Sequence, residues 1–203
     1  MARRSDHTRD ELKDIILSAS WDIVKKDGFA GLTARHIAKD INYAAGTIYN
    51  VFPAMDDLYL AVNGMTLDKL YAVLSSPDCT AHSAPPIQNI KKMAHLYRDF
   101  TKTYKPHWLM LFTYTLPDGK KAPEWYQAKV TRLFAPLETL LKPYYTQKPD
   151  RHRKMAARIL WASVHGLCFL EETGKTPLIT PQDSLSEMTG YLIDCFVAGI
   201  ESK

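Results

Sequence analysis

Apolar side chains recur along this chain at three- and four-residue intervals, and no segment of useful length alternates at the two-residue period of a half-buried strand. Leu12, Ile15, Ile16, Ala19 and Ile23 mark one face of a first helix, opened by the capping box Thr8-Arg9-Asp10-Glu11 and stopped by Gly28. Ala34, Ile37, Ala38 and Ile41 mark a second, short helix. Thr33 is its N-cap, Leu32 is placed to staple onto Ile37, and Asn42 stands where a left-handed residue is needed to end it. Gly46 opens a third short helix that stops at Phe52-Pro53. A longer helix follows from Ala54, with Asp56 and Asp57 at its positive end and Leu58, Val62, Met65 and Val73 turned inward, until Ser75-Ser76-Pro77 breaks it.

Residues 79–86 are polar and contain proline, hence a loop. Pro86 suits the first turn of a helix carrying Ile87, Ile90, Ala94, Tyr97, Thr101 and Tyr104, which Pro106 ends. A short apolar piece over 107–116 stops at Pro117-Asp118-Gly119. Pro123 opens a further helix that Pro136 kinks and Pro143 ends. Asp150 is expected to cap a helix reaching Gly174, and Ser184-Leu185-Ser186-Glu187 is a second capping box for a final helix to Ile200. The pattern predicts an all-α chain of about nine helices, divided into a three-helix domain over 1–53 and a helical domain over 54–203.

The last two helices are apolar around much of their circumference. Met155, Ile159, Val164 and Leu167 are flanked by Trp161, Cys168 and Phe169 on one; Leu185, Met188, Leu192 and Phe196 are joined by Tyr191, Ile193, Val197 and Ile200 on the other. Such helices need more than one neighbour. Gly166, Gly190 and Gly199 would allow close approach. A homodimer closed by a four-helix bundle, through 150–174 and 184–200 of each subunit, would cover both faces; the alternative is a thick monomeric core.

With 203 residues, 46% of them hydrophobic, the chain can bury a real core. Its net charge of +4 suits nucleic acid without requiring it. Cys79, Cys168 and Cys195 form no pair with metal or redox spacing and read as buried, reduced thiols. No apolar run approaches a membrane span and the Arg-rich start lacks an apolar leader core, so no membrane partner is expected and a cytoplasmic location is. Nucleophile elbows, phosphate-binding glycine loops and zinc-helix motifs are missing, so the chain reads as no enzyme, with no catalytic residue, metal or cofactor.

The two short helices with their tight turn have the geometry of a helix-turn-helix. Residues 32–58 resemble the DNA-binding region of the tetracycline-repressor (TetR) family, whose pattern runs T-x-x-x-I-A-x-x-x-G-V-S-x-G-T-x-Y-x-H-F-x-x-K-x-x-L. Thr33, Ile37, Ala38, Gly46, Thr47, Tyr49, Phe52 and Leu58 match it at its spacing. Trp161-Ala162-Ser163-Val164-His165-Gly166 is similar to the Trp-His-Gly signature of one class of C-terminal domain in that family. The resemblance implies a dimeric transcriptional regulator, most often a repressor, that binds a palindromic operator in double-stranded DNA and is released by a small-molecule effector. Asn42, Ala44, Val51 and Met55 depart from the pattern. Three of these changes remove a hydroxyl, an imidazole or a cation that grips the DNA backbone in relatives, so a second reading is a helical interaction module of the same fold with weakened or lost DNA binding.

For the DNA interface, Ala45 and Gly46 form the edge that lets a helix approach the major groove. Thr33, Thr47 and Tyr49 offer hydroxyls; Tyr43 and Asn50 flank them, Asn50 reading either adenine or phosphate. Arg35 aligns with a position that reads guanine in some relatives, against the alternative of a solvated helix charge. Arg3 and Arg4 would add backbone contacts from an N-terminal arm. In the second domain, aromatic residues and one histidine (Tyr97, Trp108, Phe112, Trp125 and His165) are candidates to line an apolar effector site, against the alternative that they are core.

Overall fold

The first helix begins where the sequence says it should. In the computed structural model, which describes residues 7–80, 84–179 and 184–202, Thr8 Oγ1 accepts the Glu11 N–H at 3.3 Å while Glu11 Oε2 accepts the Thr8 N–H at 2.6 Å. This reciprocal cap satisfies two donors that the first turn cannot. The helix, α1 (Arg9–Gly31), breaks its regular geometry at Gly28, whose φ of 70° is open to glycine at little cost. Two short helices follow, α2 (Ala34–Asp40) and α3 (Ala45–Val51), then the long α4 (Met55–Leu74). Residues 77–80 (Pro77–Thr80) form a single helical turn, α5, where a loop was expected.

The middle of the chain is divided by its prolines. Helix α6 (Pro86–Thr103) ends before Tyr104, and α7 (Lys105–Thr113) starts at once with Pro106 in its first turn. There the missing proline N–H costs nothing, so Pro106 starts a helix as readily as it ends one. The helix expected to kink at Pro136 is two pieces, α8 (Glu124–Arg132) and α9 (Ala135–Leu140), and a 3-10 turn at Lys142–Tyr145 contains Pro143. Helix α10 (Asp150–Glu172) differs from expectation at its start. Pro149 holds the N-cap with extended backbone (φ −57°, ψ 140°), which makes Asp150 the first helical residue. Its carboxylate pairs with Arg153 and Lys154 one turn on rather than capping. A one-turn α11 (Thr176–Ile179) precedes α12 (Leu185–Glu201), opened by the Ser184–Glu187 box. The described residues contain no strand.

These helices fall into two compact units, one holding residues up to Leu67 together with Tyr104–Tyr126, the other Asp68–Thr103 with the residues from Gln127 onward. The first unit's core gathers Ile16, Ile23 and Val24 of α1, Ile37 of α2, Ile48 and Val51 of α3, Leu58 and Val62 of α4, and Met110 of α7, with Leu32 and Phe52 from the connections. Full burial of each such aliphatic side chain stabilises by roughly 1.5–3 kcal/mol. His107 of α7 stacks on Trp21 at 3.7 Å between ring centroids, and its Nε2 lies 2.9 Å from the Trp21 carbonyl. In the second unit α6 packs against α9, α10 and α12 around Ile90, Met93, Phe100, Leu160, Val164 and Ile193. Among the described residues no helix is long and apolar enough to cross a membrane.

Candidate nucleic-acid interface

The turn between α2 and α3 is built from backbone geometry first. Thr33 Oγ1 accepts the His36 N–H at 3.2 Å and starts α2. At its other end Asn42 takes φ 58°, the one left-handed non-glycine residue among those described. Its N–H bonds to the Lys39 carbonyl at 3.2 Å, and the next N–H, of Tyr43, reaches back to Ala38 at 2.8 Å. These two bonds are a Schellman closure, which satisfies the last carbonyls of α2 and reverses the chain in two residues. Asn is among the few residues able to replace glycine there.

Helix α3 then has two faces. Ile48 and Val51 are buried in the core of the unit, which orients the helix. Gly46, Tyr49 and Asn50 lie on the opposite side, exposed, with Ala45 and Thr47 half-buried at its margins. Tyr49 remains 48% exposed, high for an aromatic ring on so small a helix. A Cβ at Gly46 would meet nothing within 4 Å, so the chain's own packing makes no use of its missing side chain. Ala44 is the N-cap of α3 and makes no side-chain cap bond.

Arg35 is exposed in the first turn of α2, and no carboxylate among the described residues pairs with it. The nearby acids are directed elsewhere: Asp27 and Asp40 flank His36, at 3.9 and 4.0 Å from its Nε2. Thr33, Arg35, Tyr43, Ala45, Gly46, Thr47, Tyr49 and Asn50 therefore all belong to α2, α3 or the residues bounding them. Arg3 and Arg4 lie outside the described residues. One residue of this region escaped the sequence reading. His7 Nδ1 lies 2.8 Å from the Tyr43 hydroxyl, joining the start of the chain to the helix-turn-helix turn. The available signal was Tyr43 itself, a hydroxyl-bearing ring at a position where the family pattern has valine.

The N-terminal end of α4 is held by a second group that the sequence did not reveal. Asp56 accepts from the Tyr114 hydroxyl at 2.9 Å and from Lys120 Nζ at 2.6 Å, and these two partners hold its carboxyl below the usual carboxylate range. Burial together with the Asp56 bond pushes the Tyr114 phenol well above its ordinary value. The rings of Phe29, Tyr59 and Tyr114 pack edge to face around this point.

The five effector-site candidates do not fall in one unit. Trp108 is completely buried in the first unit, edge-on to the exposed Phe112, and Trp125 lines an open surface hollow of about 450 Å³ with Arg9, Lys13, Phe52 and Leu60. Tyr97 and His165 belong to the second unit, where the Tyr97 hydroxyl and His165 Nδ1 are 2.8 Å apart. His165 also stacks on Trp161 at 5.1 Å, and burial lowers its pKa, favouring the neutral ring. One helical turn on, burial pushes the Cys168 thiol up to about 12, which favours the protonated thiol at neutral pH. Cys79 is buried as well, whereas Cys195, expected inside, is exposed on α12.

Comparison with known proteins agrees with this geometry. Residues 16–62 match the family model of bacterial regulatory proteins of the tetR family, and residues 90–195, just over half of the chain, match that of the tetracyclin repressor-like C-terminal domain. No curated protein matches by sequence. Among solved structures, a protein of unknown function from Rhodococcus sp. RHA1 superposes with a TM-score of 0.75 at 17% identity, covering 98% of both chains. FadR of Thermus thermophilus, a TetR-family transcriptional repressor solved with lauroyl-CoA, gives 0.65 at 20% identity over 92% of this chain and 94% of its own. A TetR transcriptional regulator from Streptomyces coelicolor gives 0.66 at 17%, over 94% and 97%. These likenesses show a shared fold, and the two family models cover both the helix-turn-helix and the helices beyond it. The chain belongs to the TetR family of bacterial transcriptional regulators.

Proposed function

We propose that this regulator binds a palindromic operator in double-stranded DNA as a homodimer, placing α3 in the major groove, and represses until a small apolar or aromatic molecule releases it. The observation that carries the reading is the outer face of α3. Gly46, Tyr49 and Asn50 are exposed on a helix whose position is set by the burial of Ile48 and Val51 behind them. A small residue at the leading edge with polar groups beside it suits close approach to base edges and phosphates. Arg35, which pairs with no carboxylate among the described residues, adds a donor fork matched to guanine. On this reading 1–53 is the DNA-binding domain and 54–203 serves effector binding and dimerisation.

Support for the dimer comes from apolar side chains left in solvent. Met155 and Ile159 are 55% and 50% exposed one turn apart on α10, and Tyr191 is 75% exposed on α12. At Gly166, Gly190 and Gly199 an added Cβ would meet no atom of the described residues within 4 Å beyond the helix's own backbone, leaving room for a partner's backbone. For the effector, Tyr97 and His165 are the best-supported candidates, a hydrogen-bonded pair beside Trp161 and Phe169. An apolar ligand is in keeping with the lauroyl-CoA bound by FadR. The test is an electrophoretic mobility shift with duplex from beside the chain's own gene. A shift that survives excess random duplex supports operator binding; binding equally weak on both favours the helical interaction module.

A further inference from the structure

The pattern that places this chain in its family also marks where it lacks the family's grips on the DNA backbone. Ala44, Val51 and Met55 stand where a hydroxyl, an imidazole and a cation are usual. One further departure lies in the same turn, and the structure gives it a partner. Tyr43 occupies a valine position, and its hydroxyl meets His7 Nδ1 at 2.8 Å, across 36 residues of sequence.

Both ends of this contact are held. The Tyr43 backbone is tied by its N–H to the Ala38 carbonyl, directly after the left-handed Asn42. His7 precedes the N-cap Thr8, whose N–H and hydroxyl both donate to Glu11 Oε2, at 2.6 and 2.9 Å. Glu11 is thereby committed to the cap. The imidazole is exposed, its Nδ1 is taken by Tyr43, and its Nε2 has no protein partner among the described residues. When the Tyr43 hydroxyl donates to Nδ1, the ring proton sits on Nε2, so the outward nitrogen is a donor. In that tautomer the pair presents an N–H donor beside the turn that leads into α3, next to the exposed Ala44, where the family's capping hydroxyl is missing.

We infer that His7 is a DNA-backbone contact of this chain, with Tyr43 as the residue that positions it, and that the pair substitutes for the grips absent at 44, 51 and 55. The inference rests on the DNA-binding reading above and adds to it a residue outside the helix-turn-helix. A backbone contact carries no sequence information, so its loss weakens specific and random binding alike.

The experiment is phosphate-ethylation interference on duplex from beside the chain's own gene, with affinities by fluorescence anisotropy on that duplex and on random duplex. For the wild-type chain each half-site should show a set of phosphates whose ethylation blocks binding. His7→Ala should lose one phosphate per half-site from that set and weaken binding of the dimer about 25-fold on both duplexes, roughly fivefold for the one hydrogen bond lost in each half-site. Tyr43→Phe should weaken binding in the wild-type background and add nothing in the His7→Ala background, with far-UV circular dichroism unchanged in both. A wild-type interference pattern that His7→Ala leaves intact overturns this proposal alone. Additive losses from the two substitutions overturn the positioning role of Tyr43. If the wild-type chain gives no interference pattern, the DNA-binding reading falls and this inference with it.

Discussion

The Arg98 guanidinium holds the Glu171 carboxylate by two parallel bonds, Nε to Oε2 at 3.0 Å and Nη2 to Oε1 at 2.7 Å, and so fastens α6 to α10. Lys102 Nζ approaches the same carboxylate at 3.1 Å. Arg98 foremost, and then Lys102, keep the Glu171 carboxyl below the ordinary range against the opposing effect of burial. A forked pair of this kind, partly shielded from water, is stronger than a lone surface ion pair. The unfolded chain returns Glu171 to about 4.3. Its stabilising contribution is therefore complete above that pH and is lost as pH falls through the lower folded value. Glu171→Gln should destabilise by on the order of 1 kcal/mol at neutral pH. It should also flatten the fall in stability below pH about 4.3, measured by urea unfolding across acid pH. An unchanged acid limb would mean that the pair contributes nothing.

Asn42 makes a backbone prediction. Its left-handed conformation is required for the closure between α2 and α3. Asn42→Gly should be neutral or mildly stabilising, whereas Asn42→Val should cost about 1–2 kcal/mol. Thermal unfolding of the two variants checks this, and equal melting temperatures would contradict it.

At Gly46 stability and function should move in opposite directions. The added methyl of Gly46→Ala enters open space, and alanine favours helix by up to about 0.5–1 kcal/mol. Operator binding should weaken all the same if α3 enters the groove as proposed, because the methyl would stand on the exposed face of that helix. Chemical denaturation together with anisotropy titration separates the two effects. Undiminished DNA affinity would place Gly46 away from the interface.

Arg35 distinguishes base reading from simple charge. As a fork to guanine it should be worth ~1–3 kcal/mol of discrimination. Arg35→Ala should then weaken the operator complex more than the random-duplex complex. Losses of equal size on both would make it a phosphate contact or a solvated charge.

The exposed stripe on α10 predicts assembly. In the proposed dimer a glutamate at Ile159 would bury unpaired charge, so Ile159→Glu should convert that dimer into a folded monomer in sedimentation equilibrium. A wild-type chain that sediments as a monomer would remove the basis for the dimer.

Where short-range chemistry decides, the expectation and the structure agree. The capping boxes at Thr8 and Ser184, the Thr33 cap, the break at Gly28 and the left-handed Asn42 depend on neighbours within a few residues. Asp150 fails in an instructive way. An acid near a helix start satisfies the same sequence rule as N-cap or as first helical residue, and Pro149 with its extended backbone selects the second. The aromatic effector candidates show a different limit. Helical spacing marks Tyr97 and Trp108 alike as inward, but cannot say which unit's interior they enter.

By itself, then, the sequence determined that the chain is all-α, where most helices start and stop, and that residues 32–58 form the helix-turn-helix of a TetR-family regulator. Only the tertiary structure decided which distant side chains meet: His7 with Tyr43, Asp56 with Tyr114, Arg98 with Glu171, at separations of 36, 58 and 73 residues. Caps and periodicities follow from local backbone hydrogen bonding, which a few neighbouring residues set. Pairings at such distances follow from how whole helices pack, and many surface tyrosines or arginines compete for each role until the fold leaves one of them within reach.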